Sequence, residues 1–240
     1  METEKIEEFY KTLHRIQATK YEHEDRLSPY ILSRFISLLA IDDHIFDSCV
    51  LDFGVGFGDL SIGLSILGAD YVWGLDLNEN TLNICSNNIE LYKRLYGDNG
   101  TNVELILGNI YDEHFLYKFE DIIDVIVMNP PTGVINGKKK EIQFVRYALR
   151  YKPSLIYCIL STDIREDCQK IATEFEMFCE IMATMNFNQN KPLDFVKFYF
   201  LKDISKTSSE SPSEVVSEEE FNTEFDKISD DDPSIIFEDN

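Results

Sequence analysis

The chain has 240 residues, room for one domain with appendages. Hydrophobic residues make up 44% and aromatics 12%, which excludes a wholly disordered or collagen-like chain. Against 22 Lys and Arg stand 44 Asp and Glu, and a net charge of −22 is the reverse of what a free-standing nucleic-acid binder carries.

Ile6, Phe9, Tyr10, Leu13 and Ile16 recur at helical spacing and predict an amphipathic helix over the first twenty residues. Ser28-Pro29 is a helix start, and Ile31, Leu32, Phe35, Ile36 and Leu39 continue a second helix. From Cys49 the pattern changes to short apolar runs, over 50–53, 71–75, 103–107, 122–128, 155–160, 178–185 and 195–201. Helical patterns lie between them at 59–67, 81–92, 141–150 and 163–174. Continuous rather than alternating apolar runs, separated by helices, imply a mostly parallel sheet covered on both faces, an α/β Rossmann-like architecture. The last two strands are joined by a connection too short for a parallel crossover, so they are expected to form an antiparallel hairpin. Beyond them, residues 203–240 hold 13 acidic residues and two lysines, half of the chain's charge excess in its last 38 residues. That composition predicts a disordered acidic tail.

The five cysteines (49, 85, 158, 168 and 179) contain no Cys-x-x-Cys pair, and the histidines at 14, 23, 44 and 114 show no metal-like spacing. No metal site is expected. The first residues lack a basic region followed by an apolar stretch, and no apolar run of about 18 residues occurs. The expected location is therefore the cytoplasm or the nucleus, with no membrane association.

Asp52-Phe53-Gly54-Val55-Gly56-Phe57-Gly58 follows an apolar strand and precedes a helix, the context of a nucleotide-type loop. The Gly-x-Gly-x-Gly spacing, with an acid two positions before the first glycine, is the common pattern of S-adenosylmethionine sites. Asp76 lies 18 positions after Gly58, at the end of the second strand, where a carboxylate can accept hydrogen bonds from both hydroxyls of a ribose. Asn109, after the third strand, can offer its amide or a neighbouring backbone N–H to an adenine; Leu77 and Ile110 complete the expected cofactor set. Asn129-Pro130-Pro131 ends the fourth strand. Its prolines stiffen the loop and remove two N–H donors, leaving an acceptor-rich pocket suited to a planar amine such as adenine N6. Asn129, Pro130, Pro131 and the following Thr132 are the candidate catalytic residues.

Together with Leu60-Ser61-Ile62-Gly63, Gly74-Leu75-Asp76 and Ser161-Thr162-Asp163-Ile164-Arg165-Glu166, these motifs resemble the methyltransferase-like protein 5 family over about residues 29–201. The resemblance implies a seven-stranded methyltransferase sheet with S-adenosylmethionine as cofactor. It implies adenine N6 in structured RNA, small-subunit ribosomal RNA, as the target, and a small zinc-binding activator protein as partner in a heterodimer. On this reading residues 1–45 are helices packed on the catalytic domain, 46–202 are that domain and 203–240 are the tail. Three departures stand out. Thr132 replaces the family's base-stacking phenylalanine. Residues 24–29 lack its Gln-Tyr-Pro-Thr segment, and only Lys191 remains of a basic stretch between the last strands, with Lys138-Lys139-Lys140 the basic run nearest the catalytic loop. A degenerate member acting as a binding or assembly module, or a protein glutamine methyltransferase, are the alternatives.

Overall fold

The computed structural model describes residues 27, 29–96, 102–119, 121–135, 137–185 and 192–200. The helix expected over the first twenty residues and the acidic tail lie outside them. Helix α1 (Pro29–Asp42) leads into β1 (Cys49–Phe53), α2 (Asp59–Ile66), β2 (Tyr71–Asp76), α3 (Glu79–Tyr96) and β3 (Val103–Leu107). Then follow α4 (Glu113–Phe119), β4 (Val125–Met128), a small hairpin of β5 (Val134–Ile135) and β6 (Lys138–Lys139), and α5 (Lys140–Arg150). β7 (Leu155–Ser161), a 3-10 turn (Thr162–Ile164), α6 (Arg165–Glu174), β8 (Phe178–Met185) and β9 (Leu193–Tyr199) complete the order.

One seven-stranded sheet runs β3-β2-β1-β4-β7-β9-β8. β3, β2, β1, β4 and β7 are mutually parallel, and β9 is antiparallel to both β7 and β8. The mixed sheet and its antiparallel C-terminal hairpin are as the sequence predicts. Because successive side chains leave a strand on opposite faces, the apolar strands feed two cores at once. Val125, Val127, Tyr157 and Ile159 pack towards α1, α2 and α3, while Ile126, Met128, Ile156 and Cys158 pack towards α5 and α6.

The apolar stripe of α1 is wholly buried, with Phe35 tilted against Phe195 at 5.1 Å between ring centres. At its end Asp42 accepts hydrogen bonds from Lys197 Nζ at 2.5 Å and from the Tyr157 hydroxyl. Burial, with the Asp42 carboxylate beside it, pushes the Tyr157 phenol well up, so it stays protonated and keeps donating. The Ser-Thr-x-x-Arg-Glu stretch has a structural use here: Arg165 forks onto fully buried Asp194 through Nε and Nη2, each at 2.5 Å, and ties the start of α6 to β9.

Two expectations need correction. The run at 122–128 begins as a strand only at Val125; Ile122 and Ile123 form a turn onto Phe119 after α4, and Asp121 there has φ of 65°. The hairpin at 134–139 and helix α4 carry no strong periodicity and are absent from the sequence reading.

Candidate active site

At the C-terminal ends of the parallel strands lies an open cleft of about 1130 Å³. Its walls are built from the turns after β1, β2, β3 and β4, the starts of α1 and α5, and the end of β7. This is where a doubly wound sheet leaves room for a ligand.

The glycine loop bends back over β2, with the N–H groups of Gly54 and Val55 both donating to Leu75 O, at 2.9 and 3.0 Å. Gly58 has a φ of 87°, and a Cβ there would lie 2.6 Å from Cys85 Sγ, so this position takes no side chain. From α3, Asn88 Nδ2 donates to Phe57 O at 2.9 Å and fixes the loop from beneath.

Asp76 closes the loop's other side. Its Oδ2 accepts Gly56 N–H at 3.0 Å and its Oδ1 accepts Asn78 N–H at 2.9 Å. Each oxygen keeps a lone pair free, which is what the two hydroxyls of a ribose require. Leu77, 69% exposed, offers an apolar shelf beside it. Asn109 uses its Oδ1 to accept Tyr111 N–H at 3.0 Å and so keeps its amide donors for a ligand. Gly54, Gly56, Asp76, Leu77, Asn109 and Ile110 all line the cleft, as do Asn129, Pro130, Pro131 and Thr132.

Asp52 and Gly58 do not line it. Asp52 is 1% exposed and sits under the loop, accepting the Ser61 hydroxyl at 2.6 Å, while its Oδ1 has no partner among the described residues. Burial pushes its carboxyl up to about 7 against an ordinary value of 3.8; the Ser61 bond opposes this and the Asp76 charge adds to it. The folded chain therefore holds this proton more tightly than the unfolded one. The stability so gained is complete below about pH 4 and is lost as pH rises towards 7. Asp52→Asn, which keeps an acceptor for Ser61 and carries no charge, is expected to raise the melting temperature at pH 8 by a few degrees, the effect of about 1 kcal/mol. At pH 5 the gain should shrink. Equal shifts at both pH values, measured by scanning calorimetry, would refute the charge argument.

Asn129 is half-buried, Pro130 buried, and Pro131 and Thr132 exposed. The Asn129 side chain makes no hydrogen bond to any described residue, so its amide is available to a ligand. Among the wall residues that sequence reasoning missed are Tyr111, Phe144 and Glu141. Phe144 stands edge-on to Phe53 and Tyr111, with ring centres 5.9 and 6.1 Å apart, and forms an aromatic floor beneath Gly54.

The family model described as ribosomal protein L11 methyltransferase (PrmA) matches residues 36–188. The chain is 28% identical to the rRNA N(6)-adenosine-methyltransferase METTL5 of Danio rerio over 152 residues, 61% of this chain and 67% of that one. It is 26% identical to its Drosophila melanogaster counterpart, over 61% of this chain and 65% of that one. The matches thus span about two thirds of these relatives' own length. Among solved structures, a candidate RNA methyltransferase from Pyrococcus horikoshii superposes with a TM-score of 0.60 at 19% identity, covering 80% of this chain and 98% of that one. The magnesium protoporphyrin IX methyltransferase of Synechocystis with bound S-adenosylmethionine gives 0.57 at 13% identity, over 79% and 90%. These likenesses show the same fold, that of S-adenosylmethionine-dependent methyltransferases. A half-open cleft with a glycine loop, a ribose-ready carboxylate and an apolar shelf fits that cofactor. With its family model matched over most of the chain, the protein belongs to the ribosomal protein L11 methyltransferase (PrmA) family, and the METTL5 rRNA N(6)-adenosine-methyltransferases are among its similar relatives.

Proposed function

We propose that the protein methylates the N6 amine of an adenine in structured RNA, in particular small-subunit ribosomal RNA. The observation that carries this reading is Asn129-Pro130-Pro131 at one end of a cleft whose other end holds the glycine loop and Asp76. S-adenosylmethionine supplies a methyl group on a sulfonium. The protein's part is to hold the amine in line with it. The amine lone pair is delocalised into the purine ring, and acceptors at Asn129 Oδ1 and Pro130 O favour the pyramidal nitrogen that attacks. This is orientation and electrostatics rather than strong-base chemistry. A base inside a duplex has to leave the stack to reach such a loop.

Strand β3 is one of the sheet's two edges; Leu107 in it is 54% exposed and Tyr117, on the following helix α4, is 70% exposed. An edge with no outer neighbour among the described residues, beside exposed apolar side chains, supports a heterodimer in which a small zinc-binding activator protein adds a strand. The cytoplasm or nucleus, where ribosomal RNA is found, is the compartment this reading requires.

One observation favours a second reading. Thr132 puts no ring on the catalytic loop, which suits a degenerate member that keeps the fold and a partner surface as an assembly module. The matched family model is named for a protein methyltransferase, so a protein substrate, the glutamine methyltransferase alternative included, forms a third arm of the test. The decisive experiment co-expresses the chain with candidate activators, measures S-adenosylmethionine binding by calorimetry, and assays transfer to unmethylated small-subunit ribosomal RNA and to ribosomal-protein and release-factor peptides. Binding with transfer to RNA supports the proposal; binding without any transfer supports the module.

In the same calorimetry, Asp76→Ala is expected to weaken cofactor binding by about 1.5 kcal/mol, roughly tenfold, the low end for hydrogen bonds to a charged group because Asp76 is partly exposed. Unchanged affinity in a folded variant would remove Asp76 from the site.

A further inference from the structure

The described residues include a buried carboxylate that the reading above leaves unused. Glu141, in the first turn of α5, is 4% exposed and lines the cleft. The other buried acids are cared for: Asp194 by the Arg165 fork and Asp52 by the Ser61 hydroxyl and its retained proton, and Asp59, 8% exposed, is engaged as well. Glu141 receives one backbone N–H, that of Ser161, on Oε1 at 2.7 Å. No described cation pairs with it, since neighbouring Lys139 is turned to Asp163 at 3.1 Å. Its Oε2 has no partner among the described residues, and it is not one of their sealed, unsatisfied atoms, so it opens to the cleft. A carboxylate held this way is poorly compensated until something in the cleft brings it a donor.

The register places it beside the catalytic loop. Met128, the residue before Asn129, is opposite Cys158, and Ser161 lies three residues further along the neighbouring strand, about 10 Å at ~3.3 Å per residue. Asn129, Pro130 and Pro131 continue from Met128 and line the same cleft as Glu141 and Ser161, which puts Glu141 on the β7 side of that loop. Asn129 Oδ1 and Glu141 Oε2 are then two acceptors in one part of the cleft, which suits an occupant that brings N–H groups.

We propose that Glu141 is a further catalytic residue: its Oε2 receives the substrate's exocyclic amine opposite Asn129 and takes the proton that the nitrogen sheds. The proposal rests on the amine-methylating reading. When the methyl carbon bonds to nitrogen and leaves sulfur, positive charge moves to a nitrogen that still carries two hydrogens. The neutral oxygens of Asn129 and Pro130 accept hydrogen bonds and are too weakly basic to keep a proton. One N–H pair of electrons returns to nitrogen as its proton passes to Oε2, giving a neutral methylamine and a carboxylic acid that re-ionises to solvent. A negative charge nearer the nitrogen than the sulfur also stabilises the charge shift itself.

Glu141→Gln preserves the acceptor for Ser161 N–H, and Glu141→Asp preserves the charge while withdrawing it from the cleft. With S-adenosylhomocysteine saturating, the wild type is expected to bind adenosine about tenfold tighter than purine riboside, which lacks the amine, and Glu141→Gln to lose most of that preference, keeping only what Asn129 and Pro130 contribute. S-adenosylhomocysteine affinity should change by less than about twofold, and kcat on RNA should fall about 10- to 100-fold in both variants. A wild type that discriminates through Glu141 but methylates no RNA would leave the amine site standing and overturn the ribosomal RNA reading. Wild-type kcat or intact discrimination in Glu141→Gln would overturn this proposal alone, as would a tenfold loss of S-adenosylhomocysteine affinity, which would assign the carboxylate to the cofactor.

Discussion

Asn129→Ala is expected to lower kcat on the cognate RNA by about 100- to 1000-fold, the scale of removing one preorganised polar group from a transition state. Three structural facts support a catalytic effect rather than a folding one. The Asn129 side chain makes no hydrogen bond to any described residue, so its loss leaves no buried partner stranded. The loop's position is held elsewhere, by β4 pairing to β1 and β7 and by Lys140 N–H donating to Gly133 O at 2.9 Å. The cofactor contacts proposed for Asp76 and Asn109 belong to the end of β2 and the turn after β3. Cofactor affinity and melting temperature should therefore stay close to wild type while single-turnover methyl transfer collapses. A rate within about threefold of wild type, with bound cofactor verified, would take Asn129 out of the reaction.

The fold was legible wherever local pattern and tertiary role coincide. The runs in β1, β4 and β7 are buried on both faces, so they read as unbroken apolar stretches, and the short link between β8 and β9 allows only an antiparallel return. Helix α4 escaped notice because seven residues make barely two turns, too few for a periodicity. Its one local mark is Asp112 Oδ1, which accepts His114 N–H at 2.9 Å. Apolar character continues through Ile122 and Ile123, so pattern alone extends the strand to them. Asp124 was the contrary sign: it receives Cys49 N–H on its carboxylate at 2.8 Å and marks where the chain enters the sheet.

The site was legible as a set of motifs but not as a surface. A linear spacing cannot say which side of a turn faces a ligand, and Asp52 and Gly58 share one motif with Gly54 and Gly56 yet lie beneath the cleft. Asp52 reads as a ligand-binding acid in sequence and works in the structure as a buried anchor for Ser61. Glu141 and Phe144 had the opposite fate. Within Lys138-Lys139-Lys140-Glu141-Ile142-Gln143-Phe144 a glutamate looks like part of a solvated charged helix start, and only the docking of α5 against β7 buries it.

Thr132 decides between a slow enzyme and a module without activity. The loop that carries it is open: Thr132 and Gly133 are exposed, and the Thr132 side chain makes no hydrogen bond to a described residue. A larger side chain therefore meets little resistance there. Two of the cleft's rings cannot replace the missing one by turning, because Phe144 and Tyr111 are held edge-on by each other, by Phe53 and by Tyr147, whose ring centre is 4.5 Å from that of Tyr111. Phe57 belongs to the glycine loop after β1 rather than to the loop after β4. What the loop lacks is a face for the flipped base, and base–aromatic stacking contributes about 1–3 kcal/mol. Thr132→Phe is accordingly expected to raise kcat/KM on the cognate RNA by roughly 5- to 150-fold, with cofactor affinity unchanged. The gain should vanish in Thr132→Phe combined with Asn129→Ala, since stacking only presents an amine that the loop's acceptors must still activate. If wild type and Thr132→Phe are both inactive with a bound activator, the right RNA and verified cofactor, the deficit exceeds one ring and the assembly-module reading replaces the enzymatic one.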